Sequence, residues 1–298
     1  IVALVLYSVL SGKEKEIVLL TGTVSSPSLN FAIKKFKKKF KTVSHVQMDE
    51  ISYGAILDAH KQNYGKRILP KYRFDKADLI VSIDADFLGS WVSPIQFTKD
   101  FRKNRDLNAK HISKLIQVES RMSITGGKAD ERIALSPSEM VLFVKDLDAF
   151  IRGKKGSNAK AKELAKALKH HQGKSLVVSG INDINVQLLI NRINHTLRNV
   201  GRTLDIQKPS KQFAGSDSDV QSLFQKMKNG SVGALLVADV NPIYALPNGI
   251  EFGSAKDSLD LKVSFSDKNN ETTEHCKVIA PQLHGLESWY DSEQVSGL

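Results

Sequence analysis

Two segments, 76–94 (KADLIVSIDADFLGSWVSP) and 233–247 (GALLVADVNPIYALP), each drive an unbroken apolar run into a polar, turn-forming cluster. A run of Ile, Val and Leu without alternation suits a strand buried on both faces, as in a parallel sheet covered by helices. Asp84 and Asp86 in the first segment, and Asp239 and Asn241 in the second, then fall at the carboxyl edge of a sheet. Open α/β sheets bind ligands at that edge. At 298 residues the chain is also long enough for two α/β lobes rather than one.

Short strands alternate with helices of about 10–15 residues along the rest of the chain, the pattern of a doubly wound α/β topology. Strands are expected at 16–23, 42–48, 77–83, 114–119, 132–135, 175–180, near 202–206, and at 234–238, 261–266 and 277–280. Ser26 and Pro27 supply an N-cap and a first-turn proline for the helix after the first strand. Ser136 and Glu139 form a capping box around Pro137, with Met140, Val144, Leu147 and Ile151 as the apolar stripe behind it. Residues 65–74 (GKRILPKYRF) carry a proline and no helical period, so they read as a connector. Residues 152–158 (RGKKGSN), rich in Gly and Lys, read as a linker.

An apolar fraction of 41% and a charged fraction of 25% are ordinary for a folded globular chain. The net charge of +11 fits nucleic acid, anionic lipid or an acidic partner. Its densest run, 33–41 (IKKFKKKFK), sets Leu29, Ile33, Phe36 and Phe40 at helical spacing with the lysines opposite, either a solvated face or a docking surface. No RNA-binding signature, helix-turn-helix or zinc-finger spacing accompanies it, so nucleic acid is not an expected partner. Cys276 is the only cysteine, which excludes an internal disulfide, a Cys-rich zinc site and an iron–sulfur cluster held by this chain alone. Residues 1–10 are apolar, but ten residues are half of the roughly 20 a spanning helix needs. They lack the basic start and cleavage site of a signal peptide. Opening without Met on that run, the chain reads as a piece of something longer with a leading helix over 1–13 and no membrane span of its own.

Several turns are candidates for ligand contact. Gly22, Thr23 and Ser25 lie in 22–28 (GTVSSPS), which joins a strand to a helix N-terminus where amides and the helix dipole favour an anion. Every βα unit has such a turn, and this one has neither GxGxxG nor a P-loop. Gly180 and Asn182 lie in the similar turn 180–185 (GINDIN), whose Asn and Asp residues are equally good helix caps. Asp84 and Asp86 would repel each other and a pyrophosphate; they suit a sugar, a guanine edge or a cap. As an acid–base pair they have no partner motif. His170, His171 and His275 have no metal-ligand spacing, and no GxSxG elbow occurs. Cys276 sits on or beside a strand without a helix N-terminus to activate it.

Four segments in order, 77–87 (ADLIVSIDADF), 118–132 (VESRMSITGGKADER), 238–247 (ADVNPIYALP) and 270–291 (NETTEHCKVIAPQLHGLESWYD), resemble the molybdopterin-binding oxidoreductase superfamily. The phrases LTGTVSSPSL, KYRFDKADLIVSIDADFLGSW, ESRMSITGGKADERIALSPSE, NVGRT and HGLESW look like the molybdopterin-like half of the large iron–sulfur subunit of alternative complex III. The resemblance runs over nearly the whole chain.

It implies two interleaved Rossmann-like lobes with mostly parallel sheets, like domains 2–3 of formate dehydrogenase and DMSO reductase. One lobe would take 14–74 with 159–291, with 75–158 inserted and 292–298 as a tail. It further implies a bacterial respiratory complex that oxidises quinol, with this part on the periplasmic face of the inner membrane. The partners would be the cluster-bearing half of the same subunit and the neighbouring subunits. The iron–sulfur clusters would lie only in that half, and this half would be a scaffold without a molybdenum cofactor. Cofactor-bearing relatives usually offer Gly-x-Asn where this chain has Asp84-Ala85-Asp86. They place a Cys, selenocysteine or Ser ligand in the region of 52–65, where only Ser52 and His60 offer donors of that kind. Asn241-Pro242 and Glu287-Ser288 persist. The expected remnant is a vestigial strand-end pocket drawn from Gly22, Thr23, Ser25, Asp84, Asp86, Gly180, Asn182, Asn241, Pro242 and Glu287, with no catalytic or metal residue. Two other readings stand beside it: a working molybdopterin-guanine-dinucleotide site using 22–28, 180–185 and Asn241, and a nucleotide-sugar or small-molecule binding domain.

Overall fold

The computed structural model describes residues 15–40, 42–106, 112–255 and 259–297; the leading helix expected over 1–13 lies outside them. The chain divides into two compact units, a first that holds the chain up to Gly54 and again from Lys211, and a second, Ala55–Ser210, inserted in it.

The first unit begins with β1 (Glu16–Thr21), α1 (Pro27–Lys39) and β2 (Val43–Gln47). The chain then enters the inserted unit through α2 (Gly54–Tyr64), β3 (Leu69–Tyr72), β4 (Leu79–Ile83) and α3 (Pro94–Lys103). It continues through β5 (Lys114–Glu119), α4 (Ile124–Lys128), β6 (Glu131–Ala134) and α5 (Pro137–Ile151). Helix α6 (Ala159–His170), β7 (Ser175–Ser179), α7 (Ile184–Thr196) and β8 (Leu204–Ser210) close that unit. The first unit resumes with α8 (Asp217–Lys228), β9 (Val232–Ala238), the short α9 (Pro242–Ala245) and α10 (Gly249–Ser254), β10 (Leu261–Ser264) and β11 (Val278–Ile279).

In the first unit five strands run parallel in the order β11-β10-β9-β1-β2. Both faces of β1 are covered. Val18 and Leu20 meet Val220, Leu223 and Phe224 of α8, while Ile17 and Leu19 pack with Phe36 and Phe40. Each such side chain taken fully out of water contributes about 1.5–3 kcal/mol, which is why the strand sequence is apolar throughout.

The inserted unit has a parallel sheet in the order β6-β5-β4-β7 and a separate antiparallel pair, β3-β8. Leu79, Val81 and Ile83 of β4 share a core with Phe143 and Leu147 of α5, Leu168 of α6 and Ile190 of α7. A second, aromatic cluster joins Tyr72, Phe74, Phe87, Trp91, Phe97 and Phe101, with Phe74 and Phe87 stacked at 4.2 Å. The capping box of α5 is formed by Ser136 and Glu139 as its sequence specifies.

The unit boundaries differ from those expected. An insertion of 75–158 is too narrow, because β7 pairs with β4 along its whole length and the helices flanking it share the α5 core. The expected linker at 152–158 is a turn inside the inserted unit. There the Asp146 carboxylate accepts from Ser157 N and Oγ at 3.0 Å and from Asn158 N at 2.8 Å. The expected connector at 65–74 contains a strand, β3. Pro70 is tolerated there because it stands at a register shift between Leu69 and Lys71, where no ladder donor is required. No helix among the described residues is long and apolar enough to cross a membrane.

Candidate functional site

Each parallel sheet has a point where successive strands leave in opposite directions. In the first unit it lies between β1 and β9, and in the inserted unit between β7 and β4. Crevices at such points are where doubly wound sheets hold ligands. Gly22, Thr23 and Ser25 follow β1, and Asn241 and Pro242 follow β9; Asp84 and Asp86 follow β4, and Gly180 and Asn182 follow β7. Glu287 belongs to neither point. It accepts from His284 N at 3.1 Å within its own exposed turn.

The two points share a backbone device. Asp84 and Asp239 both adopt the left-handed region, at φ 53 and φ 58, a conformation that Asp tolerates better than most L-residues. Each lies beside a glycine of the adjacent strand end. A Cβ on Gly180 would stand 2.1 Å from the Asp84 carbonyl oxygen, and one on Gly22 would stand 3.4 Å from that of Asp239.

In the inserted unit the turn is filled by carboxylates. Asp86 Oδ1 accepts from Thr125 N at 2.9 Å and Thr125 Oγ1 at 2.7 Å, tying the turn to the start of α4. Glu119, at the end of β5, is buried and accepts from Arg132 Nε at 2.7 Å and Ser123 Oγ at 2.6 Å. Burial pushes the Glu119 carboxyl up, but the bonds from Ser123 and Arg132 outweigh it and hold the group below its usual range. Gly126 makes room, since a Cβ there would stand 1.9 Å from Glu119 Oε1. Burial and, less, the Glu119 charge raise the Asp84 carboxyl against the opposing pull of Arg121. At the N-terminus of α7, Asp183 Oδ1 accepts from Asn185 N at 2.8 Å and Val186 N at 3.0 Å. Asn182 Oδ1 accepts from Ala55 N at 3.1 Å.

In the first unit the N-terminus of α1 holds Asp291 from the far end of the chain. Ser28 donates to it through N at 3.0 Å and Oγ at 2.7 Å, and Ser26 Oγ donates as well. These bonds keep the Asp291 carboxyl below its ordinary range. Ser25 Oγ meets Ser292 Oγ at 3.1 Å. Thr23 Oγ1 donates to Asp49 Oδ1 at 2.6 Å and accepts from Ala214 N at 2.7 Å, while Asp49 Oδ2 accepts from Gly215 N at 2.8 Å. Asn241 Nδ2 donates to Glu271 at 2.7 Å, and its Oδ1 accepts from Thr272 Oγ1 at 2.6 Å. Pro242 takes the first turn of α9, and Asp239 accepts from Gln282. Open clefts lie among the described residues of this unit. One of about 630 Å3 runs between Asp49, Glu50, Phe224 and Leu246, and one of about 320 Å3 between Glu50, Asp239, Asn241 and Asn270.

The other candidates each have a hydrogen-bond partner. Ser52 Oγ donates to Asp217 Oδ2 at 2.5 Å. His60 is buried with Nδ1 on the Ile56 carbonyl at 2.8 Å, and burial pulls its pKa down to about 4, so the ring is neutral at pH 7. Burial raises the Cys276 thiol, whose Sγ bonds the Thr272 carbonyl at 3.3 Å. Among the described residues no three His, Cys, Asp or Glu side chains gather to hold a metal.

No family model matches the sequence. Acetylene hydratase from Pelobacter acetylenicus superposes at TM-score 0.66 and 11% identity over 93% of this chain and 50% of its own. The formyltransferase/hydrolase complex from Methylorubrum extorquens, solved with methylofuran, superposes at TM-score 0.61 and 13% identity over 94% of this chain and 82% of that chain. In sequence, a menaquinone reductase molybdopterin-binding-like subunit from Nitratidesulfovibrio vulgaris is 22% identical over 264 residues. The fold is one shared with those two structures, and the sequence is similar to that of a molybdopterin-binding-like subunit. This chain spans 38% of the length of that curated relative, with 72% of its own residues matched.

In doubly wound sheets the helix N-termini beside the switch points are where the pyrophosphate of a dinucleotide would find amide donors. Here the α1 amide is taken by Asp291 and the α7 amides by Asp183. A pyrophosphate brought to either turn would meet a carboxylate already in place, so the residues present do not suit that group. Sequence reasoning missed Asp49, Glu119 and Asp291. Asp49 directly follows the strand at 42–48, which was a usable signal. Asp291 meets its partner Ser28 across 263 residues, for which no local signal exists.

Proposed function

We propose that this chain is a cofactor-free scaffold domain of the molybdopterin oxidoreductase type, part of an electron-transfer subunit in a quinone-linked respiratory complex. In the finer form of this reading the complex is of the alternative complex III kind. The domain lies on the periplasmic face of the bacterial inner membrane, against the cluster-bearing half of its own subunit and against neighbouring subunits. The observation that carries the proposal is the pair of self-supplied carboxylates, Asp291 on α1 and Asp183 on α7, occupying the amides a dinucleotide would use. The name of the curated relative, a subunit of a menaquinone reductase, supports the quinone-linked setting. Leu283, Leu286, Trp289 and Tyr290 are exposed within one short stretch, a surface suited to burial against another chain.

A cofactor-free domain performs no bond chemistry. Its two parallel sheets hold surfaces in fixed positions, and electrons pass through the clusters of the other half. Metal analysis of the purified full-length subunit for molybdenum and tungsten, with pterin and guanine assayed on the same denatured sample, tests this. Iron without molybdenum, tungsten or pterin is expected. Stoichiometric molybdenum or tungsten together with guanine overturns the proposal and favours a working dinucleotide site at 22–28, 180–185 and Asn241.

A further inference from the structure

Between Glu16 and Asp49 the sequence has six lysines and no acidic residue. Five of them, Lys34, Lys35, Lys37, Lys38 and Lys39, are exposed on α1, and none has a carboxylate partner among the described residues. The opposite face of the helix is anchored: Ile33 is buried, and Phe36 and Phe40 pack on the core of the β1 sheet. The outward face is not uniformly polar. Phe31 is 60% exposed, and Lys34, Lys35 and Lys38 follow it at i+3, i+4 and i+7, so the ring stands at the N-terminal end of a lysine frame on the same face. Lys35 Nζ lies 4.6 Å from the centre of that ring.

Lysines in the last turn favour a helix through its dipole, which accounts for Lys37, Lys38 and Lys39. It does not account for Lys34 and Lys35, which stand in the middle and face Lys38 and Lys39 at i+4, where like charges oppose each other. An anionic surface would relieve that repulsion. The frame also contains no arginine, and the first Arg in the chain is Arg67. Arginine suits fixed, bidentate carboxylates; lysine is a flexible point charge on an apolar stem. Lysines beside an exposed aromatic ring fit a diffuse layer of headgroups over an apolar interior.

The geometry points to α1 as a docking face for an anionic lipid bilayer, with Phe31 entering the interface and Lys34, Lys35 and Lys38 at headgroup level. This goes beyond the scaffold reading and does not depend on it, because lipid binding and metal content are measured separately. The test is flotation of the 298-residue chain with vesicles of phosphatidylcholine alone and of phosphatidylcholine with about one-quarter phosphatidylglycerol. Binding to the anionic vesicles at least about tenfold tighter than to the neutral ones, falling as salt is raised, is expected. K34Q/K35Q/K38Q should lose at least about tenfold in binding. F31S should lose severalfold while keeping the salt dependence. All four side chains are exposed, so circular dichroism should be unchanged. K154Q/K155Q/K162Q, which removes three exposed lysines elsewhere, should bind as the parent does. Equal binding to neutral vesicles, an equal loss in the control triple, or no anionic binding at low salt overturns the proposal. So does soluble polyglutamate binding as tightly as vesicles with no effect of F31S, which would assign the face to an acidic protein.

Discussion

After β4 the chain turns through Asp84 at φ 53, and after β9 through Asp239 at φ 58, each beside a glycine that ends the neighbouring strand. The first turn is packed shut. Gly180 touches the Asp84 carbonyl with no room for a methyl, and the space beyond holds Asp86, Glu119 and Arg132 in charged hydrogen bonds. The second is looser. Gly22 has ordinary clearance from Asp239, the groups around the turn are amides, a hydroxyl and the exposed carboxylates of Asp239 and Glu271, and an open cleft flanks it. One backbone device is thus flanked by a buried ion pair in one unit and by more exposed polar groups in the other. The left-handed Asp is needed for the turn itself; what surrounds it depends on how much of the strand end each unit buries.

The contrast is sharpest at the buried ion pair. Glu119→Ala leaves Arg132, Ser123 and Gln117 without their acceptor and should destabilise the inserted unit by about 3 kcal/mol, read as a fall in the urea midpoint. Asn241→Ala removes one neutral bond and one to the exposed Glu271 carboxylate and should cost about 1 kcal/mol. Comparable losses would erase the distinction between the two turns. Next come the glycines: Gly180→Ala should destabilise by about 2 kcal/mol through the clash with Asp84, whereas Gly22→Ala should stay within about 0.5 kcal/mol. A severe effect at Gly22 would show that the first unit is as tightly closed as the second.

Acid should separate the turns further. The folded-state pKa of Glu119 is depressed, so its contribution is fully present above the unfolded value of about 4.3 and is lost as pH falls through the lower folded one. Asp84 has the opposite sign. Its raised carboxyl is a burden at neutral pH that eases on protonation, and Asp84→Asn should slightly raise the thermal midpoint at pH 7 with less effect at pH 3. Glu119→Gln should flatten the acid limb below about pH 5, and an unchanged limb would count against the buried pair as its source. The smallest effect on stability is expected at the α1 N-terminus. Asp291→Asn should leave global unfolding nearly unchanged but hasten proteolytic cutting within 283–297 and exchange of the Ser28 amide.

Much of the fold was legible because its signals are local. The apolar runs at β4 and β9, the Ser136–Glu139 box and the Ser26–Pro27 helix start are set by residues within one or two turns of one another. The strand-end candidates were legible for the same reason, since a polar cluster directly after a buried strand marks its carboxyl edge. What those candidates do was not. Asp183 caps its own neighbourhood, but Asn182 is held by Ala55, Thr23 by Asp49 and Ala214, and Ser28 by Asp291, partners brought in only by folding.

The lobe boundary was illegible for a related reason. RGKKGSN has the composition of a flexible linker, and only the position of the Asp146 carboxylate makes it a fixed turn. Pro70 argues against a strand in isolation, but not beside a partner that shifts register at that residue. By itself the sequence determined the strands of the two parallel sheets, the positive face of α1 and the lack of a second cysteine, because periodicity, capping and composition act over short range. The tertiary structure alone decided that β7 lies beside β4, that Asp291 closes the α1 N-terminus and that Glu119 is buried against Arg132. Strand order and charge pairing are settled by which distant surfaces can be buried together, a choice that no local window contains.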